Sequence, residues 1–129
     1  MSTCVIDILV VDDDTLLRGM VAEWLTQVGY VVREAQDGVA ALALLRGAPA
    51  RLLITDMQMP SLNGAEMLAI VCREFPTMPV IAMSGQFDSG FGFTRETAIK
   101  AGATKVLAKP FSRDDLLTSV RAVVDLEKL

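Results

Sequence analysis

Residues 7–14 have the sequence Asp7-Ile-Leu-Val-Val-Asp12-Asp13-Asp14, an unbroken apolar run that ends directly in three acidic residues. Four aliphatic residues without polar alternation are typical of a strand that is covered on both faces, as in a parallel sheet. Similar short runs recur four more times along the chain, and longer segments with apolar residues every three or four positions lie between them. This alternation predicts a parallel sheet with helices on both of its faces.

The predicted elements alternate along the chain without a linker or a change in composition. Strands are predicted at Asp7–Val11, Tyr30–Glu34, Arg51–Thr55, Val80–Met83 and Lys105–Ala108. Helices are predicted to begin near Thr15, Gly38, Asn63, Thr94 and Ser112, and the first four to end near Gly29, Leu45, Phe75 and Ala101. Right-handed crossovers between these units favour a flavodoxin-like (βα)5 fold with strand order 2-1-3-4-5, in one domain that spans residues 1–129.

The start of the last predicted helix carries two local signals. Ser112 and Asp115 form an imperfect capping box, in which the two side chains would bond each other's backbone N–H groups. Phe111 and Leu116 have the spacing of a hydrophobic staple across the same helix start.

The composition excludes several classes of function. The chain has 129 residues, and its longest stretch without charged or strongly polar side chains, Gly38–Leu45, is far shorter than the ~20 residues of a membrane span. A net charge of −4 gives no basic footprint for nucleic acid or for an acidic membrane surface. The chain contains no histidine, so any histidine in its mechanism must belong to a partner.

The two cysteines, Cys4 and Cys72, lie far apart and lack CxxC spacing, which is typical of a reduced cytoplasmic protein with buried or incidental thiols. The first residues have no basic region, and Asp7 interrupts their apolar run, so no signal peptide is predicted. We therefore expect the protein to be cytoplasmic.

Acidic residues follow two strands that are neighbours in the predicted sheet. Asp12 and Asp13 follow the first strand and Asp56 the third, so the carboxylates would meet in the crevice at the topological switch point. Carboxylates that lie this near one another without a partner repel and destabilise a fold, so the cluster needs a cation. Because all the candidate ligands are hard oxygen donors, this cation is expected to be Mg²⁺. A single acidic residue could instead be solvated or cap the next helix, as Asp14 could before Thr15.

Two more predicted strands end in polar residues at the same edge. Ser84, followed by Gly85, would offer a hydroxyl beside an open approach. Lys109 would direct its ammonium toward the acidic cluster, and the Lys109–Pro110 bond is a candidate for the cis form.

Four ordered motifs together resemble the receiver domain of two-component response regulators. They are Ile8–Asp14, Thr55–Pro60 with Asn63-Gly64, Met83–Gly85 and Ala108–Phe111, and they extend over essentially the whole chain. The intact final helix without a following linker favours a stand-alone regulator.

This resemblance implies a role for each polar strand end. Asp56 would accept a phosphoryl group from a histidine kinase or a histidine phosphotransfer protein. Asp13 would coordinate Mg²⁺ directly and Asp12 mainly through water. Ser84 would hydrogen-bond the phosphoryl group, and Lys109 would pair with it. A downstream protein would then recognise the altered face around helix 4 and strand 5.

The resemblance also assigns residues around the site, with two departures from the family pattern. The Gln58 carbonyl would be a further Mg²⁺ ligand, and the Gln58 and Gln86 side chains occupy positions that tune dephosphorylation. Position 106 usually carries an aromatic switch residue, but here it is Val106. The segment between Ser84 and Lys109 is longer than usual by roughly three residues, and it contains Phe87, Phe91 and Phe93. These phenylalanines would either carry the switch or only anchor a longer loop.

Three other functions fit part of the sequence. Asp12-Asp13-Asp14 nearly matches the nucleophile loop of haloacid-dehalogenase-type Mg²⁺ phosphatases, with Asp12 as nucleophile, but Asp114 and Asp115 fall inside a predicted helix and Asp56 would have no role. A flavin-binding protein would have the same fold, but the phosphate of its flavin would need hydroxyls and backbone amides in the loop after the first strand, and this loop is acidic here. A docking module that works without phosphorylation would not need the complete set of polar strand ends.

Overall fold

The computed structural model describes residues 7–57, 64–85 and 99–127, in which five parallel strands form one sheet of order β2-β1-β3-β4-β5. The strands are β1 (Asp7–Val11), β2 (Val31–Ala35), β3 (Leu52–Asp56), β4 (Val80–Ser84) and β5 (Lys105–Ala108). The helices are α1 (Thr15–Gln27), α2 (Gly38–Gly47), α3 (Gly64–Glu74) and α5 (Arg113–Glu127), and the helical residues 99–101 are named α4. This is the flavodoxin-like fold that the sequence predicts. Residues 94–98 of the predicted fourth helix lie outside the described residues.

Two strands, β2 and β3, are shifted by one residue from their predicted bounds, and β4 is one residue longer than predicted. Backbone hydrogen bonds explain the differences. Tyr30 N donates to Leu25 O at the end of α1, so β2 begins only at Val31. The ladder between β3 and β4 continues through a bond from Met57 N to Met83 O, which makes Asp56 the last residue of β3. β4 extends to Ser84 because its carbonyl accepts from Lys109 N.

The core consists of two apolar clusters, one on each face of the sheet. Leu9 and Val11 of β1 belong to the cluster that packs against α2 and α3. Ile8 and Val10 belong to the cluster that packs against α1 and α5. Because successive side chains of a strand point to opposite faces, the unbroken apolar run of β1 fills both clusters.

Side chains cap the helices that begin at the carboxyl edge of the sheet. Asp14 Oδ1 accepts from Leu16 N at 3.0 Å and from Leu17 N at 3.1 Å, so Asp14 is the N-cap of α1. Ser112 and Asp115 bond each other's backbone N–H groups, both at 3.0 Å, which confirms the predicted capping box.

Among the described residues, no helix combines the length and the apolar character needed to span a membrane.

The opposite edge of the sheet holds a tight contact between α3 and the residue after α4. Gly102 has φ +122°, and its N–H donates to Ile99 O at 3.1 Å, which closes the helical turn. A β-carbon at this position would overlap the Cys72 Sγ atom. The Cys72 thiol donates to Ala101 O at 3.7 Å, so this exposed cysteine lies against the end of α4.

We predict that the same substitution has opposite effects at two glycines. Gly102→Ala should lower the free energy of unfolding by about 2 kcal/mol, because of its backbone conformation and the overlap with Cys72. Gly19→Ala, in the interior of α1 with open space around it, should raise that free energy by roughly 0.5–1 kcal/mol. Urea unfolding measures both, and Cys72→Ala should relieve part of the Gly102→Ala loss. A Gly102→Ala protein as stable as the wild type would contradict this description of Gly102.

Candidate functional site

The sheet brings three carboxylates together at its carboxyl edge. Val11 and Thr55 are paired in the ladder between β1 and β3, so the next residues, Asp12 and Asp56, lie side by side. One carboxylate oxygen from each of Asp12, Asp13 and Asp56 lies within 4.8 Å of the others. Asp12 and Asp56 are buried and Asp13 is exposed. The predicted acidic cluster is therefore present, with one member facing solvent.

Asp12 is held through both of its carboxylate oxygens. Its Oδ1 accepts from Asp14 N at 2.9 Å, and its Oδ2 accepts from Lys109 Nζ at 3.1 Å. Its own N–H donates to Ala35 O at 3.2 Å, which extends the pairing of β1 with β2 beyond the strand. These contacts fix the orientation of a buried charge that would otherwise be costly.

Lys109 lies just after β5 and reaches two acidic side chains. Its Nζ is 3.1 Å from Asp12 Oδ2 and 3.3 Å from Asp56 Oδ1. Burial alone would lower the pKa of Lys109, but the charges of Asp56 and Asp12 outweigh it and raise the pKa above its ordinary value. The Lys109–Pro110 bond is cis, as the sequence indicates.

Ser84 ends β4, the strand between β3 and β5, and is buried with 1% of its surface exposed. It is paired with Ala108 in the ladder, directly before Lys109. A β-carbon at Gly85 would lie 3.8 Å from Lys109 Cβ, an ordinary van der Waals contact, so Gly85 lies directly beside the lysine stem. The polar residues at all four predicted strand ends therefore lie at one edge of the sheet.

The residues predicted to act around this centre are only partly described. Gln58, Gln86, Phe87, Phe91 and Phe93 lie outside the described residues. Val106 is half-buried, is paired with Ala82 and packs against the apolar cluster under α2 and α3. Its part in switching stays a prediction.

Arg18 is a site residue that the sequence analysis missed. Its Nη1 donates to the backbone carbonyl of Asp12 at 2.7 Å, and its Nε donates to Glu34 Oε1 at 3.1 Å. A sequence signal existed, because a cation in the first turn of a helix opposes the helix dipole and needs a compensating partner.

The donors of this site fit Mg²⁺. Asp12, Asp13 and Asp56 supply carboxylate oxygens without sulfur or nitrogen ligands, the set that hard cations prefer. Together with the Lys109 ammonium they carry a formal charge of −2, three carboxylates against one cation. Exposed Asp13 leaves room for the waters that Mg²⁺ retains.

The family model for the response regulator receiver domain matches residues 8–121, so the chain belongs to this family. The nitrogen assimilation regulatory protein NtrX of Azorhizobium caulinodans is 37% identical over 125 residues, covering 95% of this chain and 27% of that protein. The response regulator MprA of Mycobacterium ulcerans is 34% identical over 126 residues, covering 95% of this chain and 51% of that protein. The chain thus spans only a quarter to a half of these relatives.

Solved structures agree with this assignment. The receiver domain of NtrX from Brucella abortus has a TM-score of 0.84 and 33% identity, covering 92% of this chain and 98% of that one. The chemotaxis protein CheY4 of Vibrio cholerae has a TM-score of 0.85 and 30% identity, covering 93% of this chain and 99% of that one. Receiver domains are phosphoacceptor modules of two-component systems, which implies a histidine kinase partner, and they generally bind Mg²⁺ at an acidic pocket.

We predict that Lys109→Met destabilises the protein in EDTA by about 2 kcal/mol, between the values typical of exposed and buried ion pairs. The substitution leaves the buried Asp12 and Asp56 carboxylates without their shared ammonium. Added Mg²⁺ should restore most of the loss. Lys105→Met, at the other end of β5, is the matched control and should change stability little. Urea unfolding with and without Mg²⁺ measures each effect, and equal losses for the two variants would contradict the assigned pairing.

Proposed function

We propose that this chain is a phosphorylation-dependent signalling switch in which Asp56 accepts a phosphoryl group from a partner's phosphohistidine. The observation that carries the proposal is the meeting of Asp12, Asp13, Asp56 and Lys109 at one edge of the sheet. The chain itself has no histidine, so the donor histidine belongs to a histidine kinase or a histidine phosphotransfer protein. We extend this receiver assignment to the whole chain, residues 1–129, and place the switch in the cytoplasm with such a partner.

In the proposed reaction a carboxylate oxygen of Asp56 attacks phosphorus in line, and the bond to the partner's histidine nitrogen breaks. Lys109 and the Ser84 hydroxyl offset the charge on the equatorial oxygens. When bound, Mg²⁺ would supply further positive charge there. Asp13 would hold it directly and Asp12 mainly through water. The Gln58 carbonyl would be a further ligand.

The product is an acyl phosphate on Asp56, which water hydrolyses, so the modified state is transient and the protein is no turnover enzyme. Gln58 and Gln86 would tune this lifetime. The modified centre shifts the equilibrium of the face formed by α4 and β5, which a downstream protein recognises. With Val106 in place of an aromatic residue, the 85–93 segment with Phe87, Phe91 and Phe93 is the candidate carrier of the change.

A Mg²⁺ phosphatase with Asp12 as nucleophile is disfavoured by the contacts of Asp12. Both of its carboxylate oxygens already accept hydrogen bonds, from Asp14 N and from Lys109 Nζ. Asp114 and Asp115, the late acidic pair such an enzyme needs at a strand end, lie in the first turn of α5.

We expect acetyl phosphate with Mg²⁺ to add one phosphoryl group to Asp56. The reason is that the carboxylate stands beside Lys109 and the proposed cation site. Intact mass and peptide mapping after borohydride reduction locate the label. Asp56→Asn should abolish labelling, and EDTA should prevent it.

Two outcomes would disprove the assignment. Labelling of Asp12 would indicate the phosphatase, and undiminished labelling of Asp56→Asn would place the acceptor elsewhere. A wild-type chain that takes no label but still binds a partner would indicate the docking module.

We also expect Mg²⁺ to stabilise the folded protein, by about 2.7 kcal/mol at a hundred times its dissociation constant. The cation relieves the repulsion among carboxylates that meet only in the folded state. Asp13→Ala should remove most of this dependence and should itself stabilise the metal-free fold. Asp114→Ala removes the same charge from an exposed position on α5 and should keep the wild-type response. Urea unfolding at several Mg²⁺ concentrations provides the measurement, and an unchanged response of Asp13→Ala would overturn its role as ligand.

A further inference from the structure

Arg18 lies in α1 and contacts both β2 and the residue that follows β1, next to the acidic cluster. It lies in the first turns of α1, its side chain is only 15% exposed, and it donates to the Asp12 carbonyl, which follows β1. Its Nε pairs with Glu34 of β2. A cation this near the start of a helix opposes the helix dipole, so helix stability does not account for its position.

Three hydrogen bonds close a ring around the segment that contains Asp13. Asp14 N donates to Asp12 Oδ1 at 2.9 Å, and Arg18 N donates to Asp14 O at 2.9 Å. Arg18 Nη1 completes the ring by donating to Asp12 O at 2.7 Å. The backbone is therefore held on both sides of Asp13, the exposed member of the cluster.

We infer that Arg18 is a positioning residue for the divalent-cation site, and that it holds Asp12 and Asp13 in their binding geometry through the Asp12 carbonyl. The inference rests on the Mg²⁺ site of the proposed function. Asp12 then has every polar group engaged, because Ala35, Asp14 and Lys109 bond the others. Residues that hydrogen-bond metal ligands and fix their orientation generally increase the affinity of the site for the metal.

Charge and positioning predict opposite signs for the loss of Arg18. The guanidinium is a positive group near a cation site, so removing its charge alone would strengthen Mg²⁺ binding. Removing a hydrogen bond that orients the ligands would weaken binding instead. The direction of the change therefore separates the two roles.

The test measures Mg²⁺ dissociation constants for the full chain, from urea unfolding at increasing MgCl₂ concentration. Arg18→Met keeps the length of the side chain but removes its donors, and we expect its dissociation constant to rise by about tenfold or more. Arg18→Lys retains one donor for the Asp12 carbonyl and should recover part of the affinity. Glu34→Gln removes the paired charge, leaves the Arg18–Asp12 contact, and should bind Mg²⁺ as the wild type does.

Each result decides between specific alternatives. Unchanged or tighter binding by Arg18→Met overturns the inference, and so does equal weakening in Glu34→Gln, which would assign the effect to the ion pair. A loss of stability in EDTA with an unchanged dissociation constant shows a purely structural residue. If Arg18→Met does not fold, weaker binding by Arg18→Lys than by Glu34→Gln still supports positioning, and equal binding by the two refutes it. A wild-type chain without any Mg²⁺ response removes the proposed site itself.

Discussion

Two buried carboxylates share one ammonium at the carboxyl edge of this sheet, and the local architecture follows from that arrangement. Asp12 and Asp56 are placed by the neighbouring strands β1 and β3, whereas Lys109 follows β5. β4 lies between β3 and β5, so the lysine stem has to pass the end of β4. Ser84 and Gly85, both small, occupy that end. Buried charges are tolerated only when they are paired. The acidic site therefore depends on the lysine side chain passing the end of β4.

The two faces of the sheet supply the stability on which the charged edge depends. β1, β3 and β4 are almost entirely buried and contribute side chains to both apolar clusters. Away from the acidic edge, Arg46 of α2 and Glu74 of α3 form a paired contact at 2.8 and 2.7 Å on the surface. Exposed pairs of this kind contribute little, so packing rather than surface charge offsets the carboxylate repulsion.

The sequence predicts the strand order and the acidic cluster because both depend on local pattern. The apolar run of β1 and the acidic residues at strand ends need no knowledge of distant contacts. The one-residue errors at β3 and β4 have a different origin, since bonds such as Met57 N to Met83 O join segments far apart in the chain. The error at β2 comes from a local bond, from Tyr30 N to Leu25 O at the end of α1. Arg18 was missed for another reason: the side-chain pattern shows only a cation near the start of α1, whereas its partner at the site is a backbone carbonyl, that of Asp12.

Charge balance connects the proposed chemistry to the edge strand. The cluster with Lys109 carries a formal charge of −2, which one Mg²⁺ would neutralise. Phosphoryl transfer to Asp56 would replace one negative charge by about two, which leaves the centre near −1. The Lys109 ammonium, now shared between Asp12 and Asp56, would then be drawn to the phosphoryl oxygens. Because Lys109 N also donates to Ser84 O, that redistribution would act at the end of the ladder between β4 and β5, the ladder in which Ala82 and Val106 are paired.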